Sequence, residues 1–319
     1  MLNRPIIKGG YPLPTYTHFS SKQQELITLF NNQAYNECHK LLHEMEDEYP
    51  LMLDKLAFWK ASLQLAEGKK KEAVKTLQLA FDKGYWVSPE MFYMDDEFKA
   101  LEQMPDFKEL IRQFDEALTR KKASSRALLL EKGHPRAKTG IYALHMRYSN
   151  AEIFSEIFLD TETENQYAFG FAQSSQAMSS HAYVWDDETQ AKADIEETLS
   201  LFQKNHPIDD LIISGGSQGG KLAIELGLTH PSARGIIAVI PYIKDISKME
   251  KLVKEYKNEA KGVIIAGEQD AAYMQTLKLV QLLEHHHIPH KFISIKEMGH
   301  TIPANFTQRL KEAVDYILD

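Results

Sequence analysis

Apolar and polar positions follow two different rhythms along this chain. From Ala127 onward, short apolar runs alternate with stretches in which apolar residues return at helical spacing. Ala127-Leu128-Leu129-Leu130-Glu131 and Gly140-Ile141-Tyr142-Ala143-Leu144 read as strands, joined into a hairpin by Gly133-His134-Pro135-Arg136. Further strands are predicted at 167–172, 211–214, 236–240, 262–266 and 291–295, with helices between them, among them 188–202 and 248–257. This alternation predicts an α/β fold with a mainly parallel sheet covered by helices on both faces. Before about residue 120 strand-like runs are missing and helix formers dominate, which predicts a smaller all-α helical-hairpin domain. The boundary is expected in the basic, serine-containing stretch from Thr119 to Arg126, giving domains at 1–122 and 123–319.

The strand at 211–214 runs directly into Gly215-Gly216-Ser217-Gln218-Gly219, and the helical pattern from Lys221 follows at once. This is G-x-S-x-G between a strand and a helix, the context that gives the motif its meaning. So sharp a turn forces Ser217 into a strained backbone conformation and needs small residues two places before and after it. The serine hydroxyl is then held above the sheet, and the amide of Gln218 points at the same spot. After Val263-Ile264-Ile265-Ala266 comes Gly267-Glu268-Gln269-Asp270, which puts a carboxylate in a post-strand loop. Asp270 is the favoured acid and Glu268 its rival; capping of a helix beginning near Ala271 is the plainer role for Asp270. After the last strand, Met298-Gly299-His300 puts an imidazole in the next loop. A serine hydroxyl is a weak nucleophile at neutral pH, so an imidazole must take its proton, and an acid must fix that imidazole's tautomer. In an open parallel sheet ligands bind at the carboxyl ends of the strands, where Ser217, Asp270 and His300 converge.

Serine, acid, histidine is the chain order of α/β-hydrolases. From Ala137 to the end the chain resembles that family, most closely its carboxylesterase and phospholipase-like branch. The strand through Leu144 ends in His145-Met146-Arg147-Tyr148-Ser149-Asn150. The family has a His-Gly turn there, whose following loop supplies the second oxyanion-hole amide. Met146 stands in the place of that glycine, so the resemblance leaves the donor open between Met146 and Arg147, with the His145 ring supporting the loop. Gln173-Ser174-Ser175 after a strand, then Trp185, then the helix from Glu188, also resemble the esterase branch. In the N-terminal part, Cys38, Leu42 and Met45 followed by Pro50 fall at the offsets of a tetratricopeptide helix. Ala73, Leu77 and Ala80 repeat the pattern about 35 residues on, and Ala61 supplies a small residue on the helix between them. The segment resembles a pair of tetratricopeptide-like hairpins. Two repeats are too few to stand alone, so they are expected to pack on helices between Pro89 and Leu118 or on the second domain. Between Pro241 and Gly262 there is room for one helix and no cap domain, and the N-terminal region is expected to lean over the catalytic face instead.

Composition narrows the rest. Of 319 residues, 43% are apolar and 26% charged, ordinary for a globular protein. A net charge of −8 argues against a nucleic-acid partner, since phosphate binding needs clustered positive charge. The single cysteine, Cys38, fits a reducing compartment. No apolar run is long enough for a membrane span, and Met1 to Gly10 lacks the apolar core of a secretory signal, so a cytoplasmic location is expected. Of the 13 histidines, His134 and His181 carry no motif, and His285-His286-His287 point in different directions on a helix end, which reads as structural. The resemblance therefore implies a serine hydrolase, a carboxylesterase acting on a small or medium acyl ester. Ser217, His300 and Asp270 would be catalytic, and the amides of Gln218 and of Met146 or Arg147 would hold the oxyanion. No cofactor or metal is expected. The expected partners are a small-molecule ester and a protein docked through the N-terminal helices. Thioester or peptide cleavage could use the same machinery. The alternative from another class is an interaction module with a vestigial or protein-directed site.

Overall fold

The computed structural model describes residues 16–319, so the stretch Met1–Gly10 read for a targeting signal lies outside the described residues. The chain divides into two compact units: residues up to Ser125 together with Ala177–Tyr183, and Arg126–Gln176 together with Val184–Asp319.

The first unit is helical: α1 Tyr16–Asn31, α2 Tyr35–Glu48, α3 Leu53–Ala66, α4 Lys70–Asp82, α5 Pro89–Met94 and α6 Pro105–Ser124. Prolines open α5 and α6, where the missing N–H is no loss, and Ser88 caps α5 by accepting from the Glu90 amide. Cys38, Leu42, Met45, Ala61, Ala73 and Leu77 are all buried, and Ala80 is half-buried. Ala61, Ala73 and Leu77 share one core with Phe58, Phe92, Phe98 and Phe114. α6 continues through the basic stretch expected as a linker, ending only at Ser124. The excursion 177–183 joins this unit through backbone bonds from Ser88 N to Met178 O at 2.8 Å and from Ser180 N to Trp86 O at 3.0 Å. The buried carboxylate of Asp54 accepts from Ser179 Oγ and, at 3.3 Å, from His181 N.

The second unit holds β1 Leu128–Gly133, β2 Thr139–Leu144, α7 Ala151–Ser155, α8 Thr161–Gln166 and β3 Ala168–Gln173. A small hairpin, β4 Gln176–Ala177 and β5 Tyr183–Val184, flanks the excursion. Then follow α9 Glu188–Asn205, β6 Asp210–Gly216, α10 Ser217–Thr229, β7 Ala233–Val239, α11 Ser247–Lys254, β8 Lys261–Gly267, α12 Tyr273–His285, β9 His290–Ile295 and α13 Phe306–Leu318. The main sheet runs β1-β3-β2-β6-β7-β8-β9, parallel except for β1. One expectation is corrected here: β1 and β2 do not form a hairpin. β1 pairs antiparallel with β3, Leu128 opposite Gln173, and β3 lies between them. The reason is burial. β3 reads Ala-Phe-Gly-Phe-Ala and is buried throughout its first five residues, so it belongs inside the sheet, whereas β1 is only half-buried and suits an edge.

Alternate residues of the inner strands face two helical layers. Tyr142, Leu144, Leu211 and Ile213 pack with Ile195, Leu199 and Phe202 of α9 and Leu222 and Ala223 of α10, and Ile236 and Ile264 pack with Leu279 and Leu283 of α12. On the other face Phe158 meets Phe169, Phe171 and Phe306 edge-on, with ring centroids 5.0–6.2 Å apart. The parallel strands β2, β6, β7, β8 and β9 therefore present their carboxyl ends along one edge of the sheet. No helix among the described residues is long and apolar enough to cross a membrane.

Candidate active site

β6 ends at Gly216 and α10 begins at Ser217, with no residue between them. The turn is made by Ser217 itself, at φ +50°, in the left-handed region that costs an L-residue about 1–2 kcal/mol. Close approach explains the two flanking glycines. A Cβ on Gly215 would lie 2.3 Å from Gly219 O, and one on Gly219 would lie 2.2 Å from Leu144 O. The elbow is thus pressed against the end of β2, and Ser217 stays only 7% exposed.

The three expected side chains meet there. Ser217 Oγ lies 2.8 Å from His300 Nε2, and His300 Nδ1 lies 2.7 Å from Asp270 Oδ2. The second oxygen of Asp270 accepts the Ala272 amide at 2.8 Å, so one carboxylate both ties off the start of the following turn and orients the imidazole. Burial pushes the Asp270 carboxyl up, but the hydrogen bonds from His300 and from the Ala272 amide outweigh it and hold the group below its usual range. The rival Glu268 is exposed and is held elsewhere: its Oε1 accepts from Ser294 Oγ at 2.9 Å. A bond from Gln269 N to Met298 O at 3.0 Å laces the acid loop to the histidine loop. Tyr242, whose amide donates to Ser217 O at 3.0 Å, presents an exposed ring edge-on to His300 with centroids 6.4 Å apart.

The loop after β2 lies against the elbow. Met146 is buried, and its side chain fills the space beside Gly216, where a Cβ would be 2.8 Å from Met146 Cγ. That is how a methionine is accommodated where the family resemblance implies glycine. His145 is fully buried; its Nδ1 donates to Met146 O at 2.8 Å and its Nε2 accepts the Ser174 amide at 3.3 Å, partners that assign the neutral tautomer. Burial pushes its pKa down to about 4. The Trp185 ring lies 4.8 Å from the His145 ring, and Trp185 Nε1 donates to His145 O at 3.0 Å. The serine loop is anchored in turn by buried Asp194 on α9, which accepts the Ser175 amide at 2.7 Å.

One group in this region escaped the sequence reading. Asp186 accepts from Arg147 Nε at 3.1 Å and Nη2 at 2.7 Å, and from Gln218 Nε2 at 2.8 Å. Of the pair Asp186-Asp187, only Asp187 caps α9, accepting from the amides of Thr189 and Gln190, which leaves Asp186 without a local role. His285 closes α12 and His286 and His287 follow as its cap, and among the described residues no cluster of three His, Cys, Asp or Glu could hold a metal.

Comparison with known proteins bears on both units. Residues 15–122 match the family model described as the A/B hydrolase-like, N-terminal domain. An uncharacterized protein from Bacillus cereus is similar over 95% of this chain and 99% of its own, at 24% identity and a TM-score of 0.51. A Thermus thermophilus protein is similar over 61% of this chain and 98% of its own, at 14% identity and a TM-score of 0.50. A phospholipase/carboxylesterase from Dyadobacter fermentans covers 61% of this chain and 98% of its own, at 20% identity and a TM-score of 0.46. No curated protein matches the chain. The second unit has the α/β-hydrolase fold, preceded by an N-terminal all-helical region.

Proposed function

We propose that this chain is a serine hydrolase that cleaves carboxylic esters of small or medium acyl groups. The observation that carries the reading is the unbroken hydrogen-bond path Ser217 Oγ–His300 Nε2–His300 Nδ1–Asp270 Oδ2, at 2.8 and 2.7 Å, starting from a serine held at positive φ. In this reading His300 takes the Ser217 proton as Oγ attacks the ester carbonyl, and Asp270 stabilises the imidazolium. Collapse of the tetrahedral adduct releases the alcohol, which takes the proton from His300 and leaves an acyl-serine. Water then attacks with His300 again as base, releasing the acid and restoring the serine. The oxyanion is held by the Gln218 amide at the start of α10 and by the amide of Met146 or Arg147. One such donor is typically worth on the order of 100-fold in rate. The lone cysteine, Cys38, a buried free thiol, supports a reducing, cytoplasmic setting.

The test is labelling of wild type and Ser217→Ala with a fluorophosphonate probe, alongside hydrolysis of p-nitrophenyl esters of graded chain length. Labelling and turnover that vanish together in Ser217→Ala support the reading, and the chain-length optimum sizes the acyl pocket. A wild type that neither labels nor turns over would sink it and favour the interaction-module alternative.

A further inference from the structure

We propose that Asp186 is a positioning residue that holds the two sides of the oxyanion site in register by tying Gln218 to Arg147. The inference rests on the serine-hydrolase reading and deepens it. Asp186 shares its two oxygens between partners from different parts of the chain. Oδ1 accepts Gln218 Nε2 at 2.8 Å and Arg147 Nε at 3.1 Å, while Oδ2 accepts Arg147 Nη2 at 2.7 Å. Gln218 follows the nucleophile directly, and Arg147 lies in the loop that faces it. The other end of the Gln218 carboxamide is also held, since its Oε1 accepts the Trp185 amide at 3.0 Å. Two consecutive residues therefore fix both the position and the flip of one side chain on the first turn of α10. The same dipeptide reaches the opposing loop a second time, through Trp185 Nε1 and His145 O at 3.0 Å.

The loop needs such a hold. Tyr148 sits at φ +59°, a conformation that persists only when its surroundings impose it, and the Arg147 guanidinium lies 4.3 Å over the Tyr148 ring. Burial pushes the Asp186 carboxyl up, but the bonds from Arg147 and Gln218 outweigh that and keep it ionised at neutral pH. An ordinary exposed ion pair contributes little, but a two-pronged guanidinium–carboxylate contact with a third donor has a defined geometry. Because Asp186 already neutralises Arg147, this arginine is not a free anion-binding group. Asp187 serves as the α9 cap, so Asp186 is not held in place by a helix-capping duty.

The experiment compares wild type, Asp186→Asn, Asp186→Ala, Gln218→Ala and the Asp186→Ala/Gln218→Ala double variant in p-nitrophenyl ester hydrolysis. Melting temperature is followed in parallel. The expected result is a kcat lower by on the order of 10- to 100-fold in each single variant, the scale of a small misplacement at the reacting centre. KM should stay within about twofold, as for an interaction felt only in the transition state. The double variant should lose little beyond either single one, because the two groups act as one unit. Folded Asp186→Asn and Asp186→Ala proteins with wild-type kcat overturn the proposal, as does a loss that appears in melting temperature alone. Should the Asp186 variants not fold, Gln218→Ala decides: it keeps the backbone amide, and an unchanged kcat there overturns the proposal equally. A wild type that neither labels with fluorophosphonate nor turns over brings down the hydrolase reading and the clamp with it. An active wild type beside fully active variants brings down the clamp alone.

Discussion

Asp270 gives one carboxylate oxygen to His300 Nδ1 at 2.7 Å and keeps the other on the Ala272 amide at 2.8 Å. The second bond stops the carboxylate from rotating, so His300 is presented to Ser217 in one tautomer. Asp270→Asn would preserve the shape and reverse the donor at the Nδ1 contact. We expect kcat to fall on the order of 10,000-fold in ester hydrolysis, with the fold unchanged. Glu268→Gln is the control. Since Glu268 is engaged with Ser294 Oγ, its kcat should stay within about twofold of wild type. Comparable losses in the two variants would contradict the assignment of Asp270.

The positive φ of Ser217 predicts a trade between stability and activity. Glycine adopts φ near +50° without the Cβ conflict that serine suffers there. Ser217→Gly should therefore be more stable than Ser217→Ala by roughly 1 kcal/mol, after allowing for the greater freedom of glycine in the unfolded chain. Both variants should be inactive. Urea unfolding of the pair reads the difference, and an alanine variant as stable as the glycine one would mean the elbow stores no strain.

Such local features are what the sequence made legible. The Gly215–Gly219 motif, the apolar run before Asp270 and the late His300 each lie within a few residues of the strand that positions them, so spacing along the chain reports their placement. Pairing between distant strands leaves no such trace. Proximity in sequence suggests that β1 and β2 pair, whereas β3 is buried on both faces, Phe169 and Phe171 on one and Ala168 and Ala172 on the other, and so lies between them. Arg147, Asp186 and Gln218 come from three separate segments, and no spacing could announce their meeting. Trp185 was visible as a landmark, but its bond to His145 O was not. The basic stretch from Thr119 to Arg126 reads as a linker by composition; as far as Ser124 it forms the last turns of an amphipathic helix, with Arg120 and Lys122 exposed while Leu118 and Phe114 are buried.

Gly219 offers a test of how tightly the elbow is pressed against β2. In Gly219→Ala the new methyl would meet backbone carbonyls, Leu144 O at 2.2 Å and His145 O at 2.5 Å, neither of which is a side-chain tip that can swing aside. The strand end and the first turn of α10 must separate. Overpacking of this kind costs about 1–3 kcal/mol. On the proposed mechanism the gap opens beside the Gln218 amide, so activity should fall by on the order of 100-fold or more. A folded Gly219→Ala protein with wild-type kcat would show that the amides on the two sides do not act together.

His145 carries a pH signature set by its burial. Burial lowers its pKa from 6.5 to about 4 in the folded chain. Above pH 6.5 neither the folded nor the unfolded form holds the proton, and the group makes no difference to stability. As pH falls through 6.5 the unfolded chain takes up a proton that the folded chain refuses, so folding stability declines. The decline ends near pH 4, where the folded form is protonated too, for a total on the order of 3 kcal/mol. Asp270 loses its own contribution at lower pH, below its ordinary value of 3.8, and so falls outside this window. His230, whose pKa burial also lowers, acts in the same direction, and comparison with a variant removes it from the difference. His145→Asn can still donate to Met146 O but does not titrate. Urea unfolding at pH 7, 5.5 and 4.5 should show wild type losing stability more steeply than His145→Asn across that interval. Equal slopes would mean that folded His145 takes up its proton as readily as the unfolded chain does, and its bond to the Ser174 amide, which requires a bare Nε2, would then be lost as pH falls below 6.5.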